Sequence, residues 1–282
     1  MIASRRKNMN KTVCVITGGG SGMGLEAAKH MDKESKIIVI SGRTVSKLEN
    51  AVSELEALGF ESHAYACDTS NRESVRALAE YAASLGEIKN VINAAGMSPG
   101  MADGKKLLEV NAMGTVYVNQ EFAKLMGAGS VIVDIASNSA YVLPKFLINE
   151  KVYALAETDE ETFFKKCLKK SNLAKTDYQK AGFAYALSKN FVVWYAQKCA
   201  YEFGKKGIRV VSLSPGLIDT NMGKLEAEEG GSMLKFGAEE RMGKPEELGY
   251  AIATVADERN GYLAGVDILC DGGCTNGKKF KK

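Results

Sequence analysis

The chain reads as an α/β protein: one doubly wound domain with a seven-stranded parallel sheet and helices on both faces. Two observations predict this. Short apolar, β-branched runs recur along the 282 residues, and the stretches between them have the length and apolar spacing of helices. The runs are mostly unbroken in apolar character, which implies burial on both faces, as in a parallel sheet covered by helices. No internal repeat or low-complexity linker divides the chain. The expected organisation is therefore a tail at 1–10, one domain at 11–275 and a basic tail at 276–282.

The elements follow in order. The first strand is "TVCVITG" (12–18), with a helix from about residue 22. "KIIVISG" (36–42) precedes "SKLENAVSELEALG", whose apolar residues at 48, 52, 55 and 58 mark one helical face. "ESHAYACD" (61–68) precedes "NRESVRALAEYAASLG"; then come strands at "NVINAAG" (90–96), "SVIVDIAS" (130–137), "RVVSLSPG" (209–216) and "DILCDGG" (267–273). Two long segments break the rhythm, 141–179 after strand five and 217–243 after strand six. Loops this long inside one domain are usually functional or disordered, and both leave the carboxyl ends of strands, where open α/β sheets bind ligands.

Composition narrows the class. Hydrophobic residues make up 45% and charged residues 25%, and a net charge of +3 is too small to imply nucleic acid. No run reaches the roughly 18 apolar residues of a membrane span. The N-terminus is charged and lacks the apolar stretch of a secretory signal. The cysteines at 14, 67, 167, 199, 270 and 274 form no CxxC pair, and His30 and His63 lie far from them, so no metal site is expected. Buried, reduced thiols and a cytoplasmic protein are the expectation.

"TGGGSGMG" (17–24) follows the first strand directly. Gly18, Gly22 and Gly24 form a G-x-x-x-G-x-G turn that admits a pyrophosphate close to the backbone, and the next helix aims its positive end at that anion. At the end of strand two, Gly42 stands where an acidic residue would bind the ribose 2′-hydroxyl of NAD, and Arg43 follows. A guanidinium suits a 2′-phosphate, so NADP(H) is favoured over NAD(H); an arginine stacked on adenine would accept either. Asp68, at the end of strand three, is placed either to hydrogen-bond the adenine amino group or to cap the next helix with Thr69 and Ser70.

"TGGGSGMG", "NAAG" (93–96), "EVNAMG" (109–114), "YALSK" (185–189) and "SPGLIDT" (214–220) occur in the order of the short-chain dehydrogenases/reductases, which the chain resembles over roughly residues 11–275. The resemblance implies a Rossmann-like fold, a nicotinamide cofactor, alcohol–carbonyl chemistry and a homodimer or homotetramer. It places Thr17, Gly18, Gly20, Ser21, Gly22, Met23, Gly24, Asn93, Ala94, Ala95 and Gly96 at the cofactor. It adds Pro215, Gly216, Ile218 and Thr220 at the nicotinamide end.

The chemistry of the tyrosine motif agrees. Moving a hydride to or from carbon requires a proton to move at oxygen. A free tyrosine, with a pKa of about 10, is a poor base at neutral pH. A lysine at i+4 shares its helical face and favours the phenolate. Tyr185 is thus the expected acid/base and Lys189 its activator; by resemblance Lys189 also holds the nicotinamide ribose. Ser137 is expected at the substrate oxygen, with Ser139 in reserve. Asn111 matches an asparagine that, in the family, links the lysine to solvent through a bound water.

A near-copy, "YALAE" (153–157), lies upstream, but Glu157 stands in place of the lysine. Tyr153 is expected to belong to the insertion at 141–179, lining the substrate cleft. Within it "TDEE" (158–161) reads as a capping box with Thr158 as N-cap, opening a helix with Phe163, Phe164, Cys167 and Leu168 on one face. That helix would pack on its own domain, form a wall or lid over the cleft, or make an oligomer contact. The insertion resembles that of bacterial 3α-hydroxysteroid dehydrogenase/carbonyl reductases, which implies a steroid or bile acid substrate. The 217–243 loop would supply Leu217, Met222, Leu225, Met233, Leu234 and Phe236 to it. The rivals are a carbonyl reductase of acyl thioesters or xenobiotic ketones, and a protein that senses NADP(H) without turnover.

Overall fold

The strands form one all-parallel sheet in the order β3-β2-β1-β4-β5-β6-β7. They are β1 (Thr12–Thr17), β2 (Lys36–Gly42), β3 (Glu61–Ala66), β4 (Ile88–Asn93), β5 (Val131–Ile135), β6 (Arg209–Pro215) and β7 (Asp267–Cys270). The computed structural model describes residues 11–280; the expected N-terminal tail and residues 281–282 lie outside the described residues. Between the strands run helices α1 (Gly22–Lys29), α2 (Val45–Ala57), α3 (Arg72–Leu85), α4 (Gly104–Leu107), α5 (Gly114–Ala123), α6 (Glu150–Tyr153), α7 (Glu160–Ser171), α8 (Asp177–Gly204), α9 (Asn221–Gly230), α10 (Pro245–Ala256) and α11 (Cys274–Gly277). The strand order reverses between β1 and β4, which leaves a crevice at the carboxyl ends of those strands.

Each face of the sheet carries its own apolar core. Val15, Val39, Val91, Ile132 and Val210 pack under α3, α5 and α8, while Ile16, Ile40, Ile92, Val133 and Leu213 pack under α1, α2 and α10. The edges depart from the predicted two-sided burial. β3 alternates between exposed and covered positions, and every residue of β7 is half-buried, because each has a neighbour on one side only. Two residues beyond the first valine row, the side chains turn polar. Ser41, Thr17, Asn93, Asp134, Ser212 and Asp267 stand in register across six strands, as one ledge at the carboxyl end.

The insertion corrects three expectations. Its helix α7 is capped by Asp159, whose carboxylate accepts from Thr162 N at 3.0 Å, and not by Thr158. Asp159 is the last residue before the helical backbone, and Thr158 closes the preceding 3₁₀ turn. Tyr153 does not line the cleft. It is 2% exposed and packs on Phe191, with ring centres 5.4 Å apart, because an aromatic ring on this face gains more from the core than from solvent. Nor does the segment form a wall of the cleft: none of residues 141–179 lines the cleft described below. Phe163 and Cys167 join the core beside Leu187, Phe191 and Tyr195.

Polar ties fasten the same segment. Glu157 accepts from Tyr195 Oη (2.8 Å), Lys198 Nζ (2.8 Å) and Gln120 Nε2 (3.1 Å), and Glu160 accepts from Tyr117 Oη at 2.9 Å. Nine of the ten residues of α5 are buried, so this helix has no free outer face.

Candidate active site

A cleft of about 510 Å³ opens at the carboxyl ends of the strands. Gly18, Gly20, Ser21, Gly22, Met23 and Gly24 line one end. Gly18 has φ +68°, and a Cβ there would meet the Ala94 carbonyl carbon at 2.9 Å. A Cβ on Gly24 would lie 2.7 Å from Gly18 O. Ser21 sits at the N-cap of α1 without a capping hydrogen bond, and the first turn holds no acidic residue. The N–H groups and positive end of α1 therefore face the cleft uncompensated, as an anion site requires. Thr17 and Asn93 do not line the cleft: Thr17 Oγ1 donates to Asn93 Oδ1 at 2.9 Å behind its wall. Ala94, Ala95 and Gly96 form that wall.

Gly42, Arg43, Asp68 and Thr69 line the next part. Asp68 is not the cap of α3; Asn71 is, accepting from Ser74 N at 3.0 Å. Asp68 Oδ1 instead accepts from Ser70 N and Oγ, at 2.9 and 2.7 Å. Partial burial pushes its carboxyl up, but the Ser70 hydrogen bonds and the charges of Lys106 and Arg43 outweigh this and hold it below the usual range. Sequence reasoning missed Lys47, which lines the cleft from α2. Lys47 lies four residues after Arg43, but Arg43 precedes α2, so no helical spacing links the two in the sequence.

Tyr185, Lys189 and Ser137 line the other end. The long helix α8 sets the first two one turn apart, and a capping box of Thr176 and Gln179 starts it. Lys189 Nζ lies 5.9 Å from the centre of the Tyr185 ring and donates to Ile135 O at 2.9 Å. Ser139 does not line the cleft. Its hydroxyl and its N–H both donate to Ser137 Oγ, at 2.8 and 3.2 Å, which leaves the Ser137 hydrogen directed elsewhere. Asn111 sits in a π-helical turn at Leu108–Met113, a distortion often found at functional sites. Its side chain pairs with the Met97 backbone, accepting from N at 2.9 Å and donating to O at 3.0 Å. A Cβ on Gly96 would lie 3.3 Å from Asn111 Oδ1 and 3.5 Å from Lys189 Nζ, so both groups flank that glycine.

Pro215, Gly216, Ile218, Thr220 and Met222 close the far side. Leu217 and Leu225 do not line the cleft, and Leu225 is half-exposed. Neither do Met233, Leu234 and Phe236, whose 3₁₀ segment packs against α11. The apolar lining comes instead from Met97 and Val110, which cluster with Leu107, Ala181 and Tyr185. They flank "NAAG" and Asn111 in sequence, but only folding turns them to the cleft. Among the described residues no group of His, Cys, Asp and Glu could hold a metal ion, and no helix is long and apolar enough to cross a membrane.

A sequence profile described as short chain dehydrogenase matches residues 12–153, and one described as enoyl-(acyl carrier protein) reductase matches 169–275. The chain belongs to the short-chain dehydrogenase/reductase family. Its members are oxidoreductases that act on CH–OH groups and bind a nicotinamide dinucleotide, and the uncapped glycine turn fits such a group. Among its relatives in the family, a short-chain dehydrogenase/reductase of Alternaria brassicicola is 28% identical over 94% of this chain and 96% of its own. The 7α-hydroxysteroid dehydrogenase of Escherichia coli K12 is 25% identical over 97% and 98%. The cyclohexanol dehydrogenase of an Acinetobacter strain is 24% identical over 95% and 96%. A dehydrogenase/reductase from Sinorhizobium meliloti shares the fold with a TM-score of 0.75 at 20% identity, over 95% and 96% of the chains.

Proposed function

We propose that this short-chain dehydrogenase/reductase is NADP(H)-dependent and interconverts a secondary alcohol and a ketone on an apolar substrate of the hydroxysteroid or bile-acid type. One observation carries the chemistry: Tyr185, Lys189 and Ser137 line the same cleft as the glycine turn. Thus Ser137 holds the substrate oxygen, with Ser139 behind it. Tyr185 takes the hydroxyl proton during oxidation and returns it during reduction. The ammonium of Lys189 favours the phenolate, and Lys189 also holds the nicotinamide ribose. Asn111 orders the loop at Gly96 and Met97 beside that lysine. The nicotinamide accepts or supplies the hydride when bound.

Arg43, with Lys47 beside it, takes the 2′-phosphate; Asp68 and Thr69 lie at the adenine. Met97, Val110 and Met222 favour an apolar substrate, as does the likeness to a 7α-hydroxysteroid dehydrogenase. A relative named D-threitol dehydrogenase, 25% identical, favours a second reading, a small polyol. A panel of ketosteroids, bile acids, cyclohexanone, quinones, small aldehydes and threitol, run with NADPH and NADH, tests both. Turnover of only small polar compounds overturns the steroid reading. Cofactor binding without turnover of any member favours a sensor.

A further inference from the structure

The polar ledge holds a fully buried carboxylate that the chemistry above does not use. Asp134 is fully buried on β5. Its Oδ1 accepts from Asn93 Nδ2 at 3.1 Å and its Oδ2 from Asn119 Nδ2 at 2.8 Å. Asn93 in turn accepts from Thr17 Oγ1, and Thr17 Oγ1 accepts from the Ala95 N–H at 3.1 Å, at the wall of the cleft. The next residue of β5, Ile135, supplies the carbonyl that holds Lys189 Nζ. A ledge of hydroxyls and amides would bridge these strands without a charge. A buried carboxylate is costly unless something nearby compensates it.

We propose that Asp134 is a positioning residue for the reaction: its carboxylate is the buried countercharge of Lys189 and limits the positive field that Lys189 places on Tyr185. This rests on the reading of Tyr185 and Lys189 as the acid/base pair.

Among the described residues, Lys189 is the cation whose charge acts on the Asp134 carboxyl, and its Nζ is held by the carbonyl of the next residue, Ile135. Asn93 comes from β4, Ser212 from β6, Asn119 from α5, and Lys189 and Cys199 from α8; α10 covers the opposite face of the sheet. Ser212 donates to Asp267 at 2.6 Å, the next carboxylate along the ledge. The Cys199 thiol is neutral, pushed above its ordinary value by burial and then by the Asp134 charge. Burial raises the Asp134 carboxyl to about 6, against the lowering by Asn119, Asn93 and Lys189. It is therefore ionised where the enzyme would oxidise alcohols, and neutral in mild acid.

The test is the pH profile of kcat/KM for alcohol oxidation, from about pH 5 to about pH 10, in wild type and Asp134→Asn. Removing the negative charge favours the phenolate, so the ascending acid-side limb, where Tyr185 loses its proton, is expected to move down by about one pH unit. A dinucleotide titration alongside reads any purely structural effect, which would weaken binding without moving the limb. An unmoved limb, or one that moves up, overturns the proposal. Should Asp134→Asn fail to fold, Asp134→Ser removes the same charge with a smaller polar side chain and must move the limb in the same downward direction. Tyr185→Phe separates the two ideas. Retained turnover in that variant overturns the acid/base reading itself, whereas a dead Tyr185→Phe with an unmoved Asp134→Asn limb overturns only the countercharge.

Discussion

The hydroxyl of Tyr153 donates to Oδ1 of Asn190 at 2.9 Å, one residue beyond Lys189 on α8. Asn190 Nδ2 donates on to Ala140 O at 2.9 Å, so the upstream tyrosine ties the start of the insertion to the helix that carries the active pair. The two "YAL" tyrosines thus have opposite surroundings. Tyr153→Phe deletes one buried hydrogen bond, and about 1 kcal/mol of stability is expected to go, near 2–4 °C in Tm, with kcat/KM within about threefold. Tyr185→Phe should keep its Tm and lose about 10²–10⁴-fold in turnover. Thermal unfolding and steady-state rates on both variants check this; a large rate loss in Tyr153→Phe would refute the assignment.

Arg43→Ala should act on one cofactor. A charge-assisted hydrogen bond to a 2′-phosphate is worth roughly 1.5–3 kcal/mol, so kcat/KM for NADPH is expected to fall about 10–100-fold. The value for NADH should stay within about threefold. Lys47→Ala should add to the loss. Equal losses with both cofactors would mean that Arg43 stacks on the adenine.

Gly18→Ala should be more damaging than Gly22→Ala in the phosphate turn. The added Cβ meets the Ala94 backbone at 2.9 Å, at a φ that alanine adopts only with strain. A Cβ on Gly22, also at positive φ, finds Thr220 Cγ2 no closer than 3.5 Å. Gly18→Ala is expected to lower Tm by several degrees and to abolish dinucleotide binding, measured by nucleotide fluorescence. Gly22→Ala should keep most of its Tm and lose mainly affinity. The reverse order would contradict the geometry.

The insertion should loosen in acid. Burial pushes the Glu157 carboxyl up, but hydrogen bonds from Lys198 and Tyr195 outweigh it and hold the group below its ordinary value. A depressed carboxylate contributes stability that is present above its unfolded pKa, about 4.3, and is lost as pH falls through the lower folded value. The urea midpoint of wild type should therefore exceed that of Glu157→Gln at neutral pH and converge on it below about pH 4. A constant gap across pH would show that Glu157 contributes packing alone. Asp134 has the opposite sign: its raised value means that stability falls as pH rises from about 4 towards 6.

The glycine turn, the i, i+4 pair of Tyr185 and Lys189 and the strand runs were legible because they are local. Strand periodicity, glycine at a tight turn and helical spacing act within a few residues of chain. The candidate site was legible in part. Thr17, Asn93, Ser139 and Leu217 belong to the right stretches, yet they do not line the cleft, because a motif marks a stretch of backbone and not the direction of each side chain. Lys47, Met97 and Val110 were missed for the converse reason: nothing local distinguishes them from helix-surface or core residues.

The sequence by itself determined the α/β class, the parallel sheet, the place of the phosphate turn and which tyrosine has a lysine at its side. The tertiary structure alone decided where the insertion goes. An amphipathic helix with Phe163 and Cys167 on its inner face must bury that face, and hydrophobic burial has no direction of its own. The partners that chose it, Phe191 and Tyr195 on α8 with Tyr117 and Gln120 on α5, come from distant parts of the chain. The polar ledge through Asn93, Asp134 and Ser212 is of the same kind: it exists only in the register of six strands, and no stretch of sequence contains it.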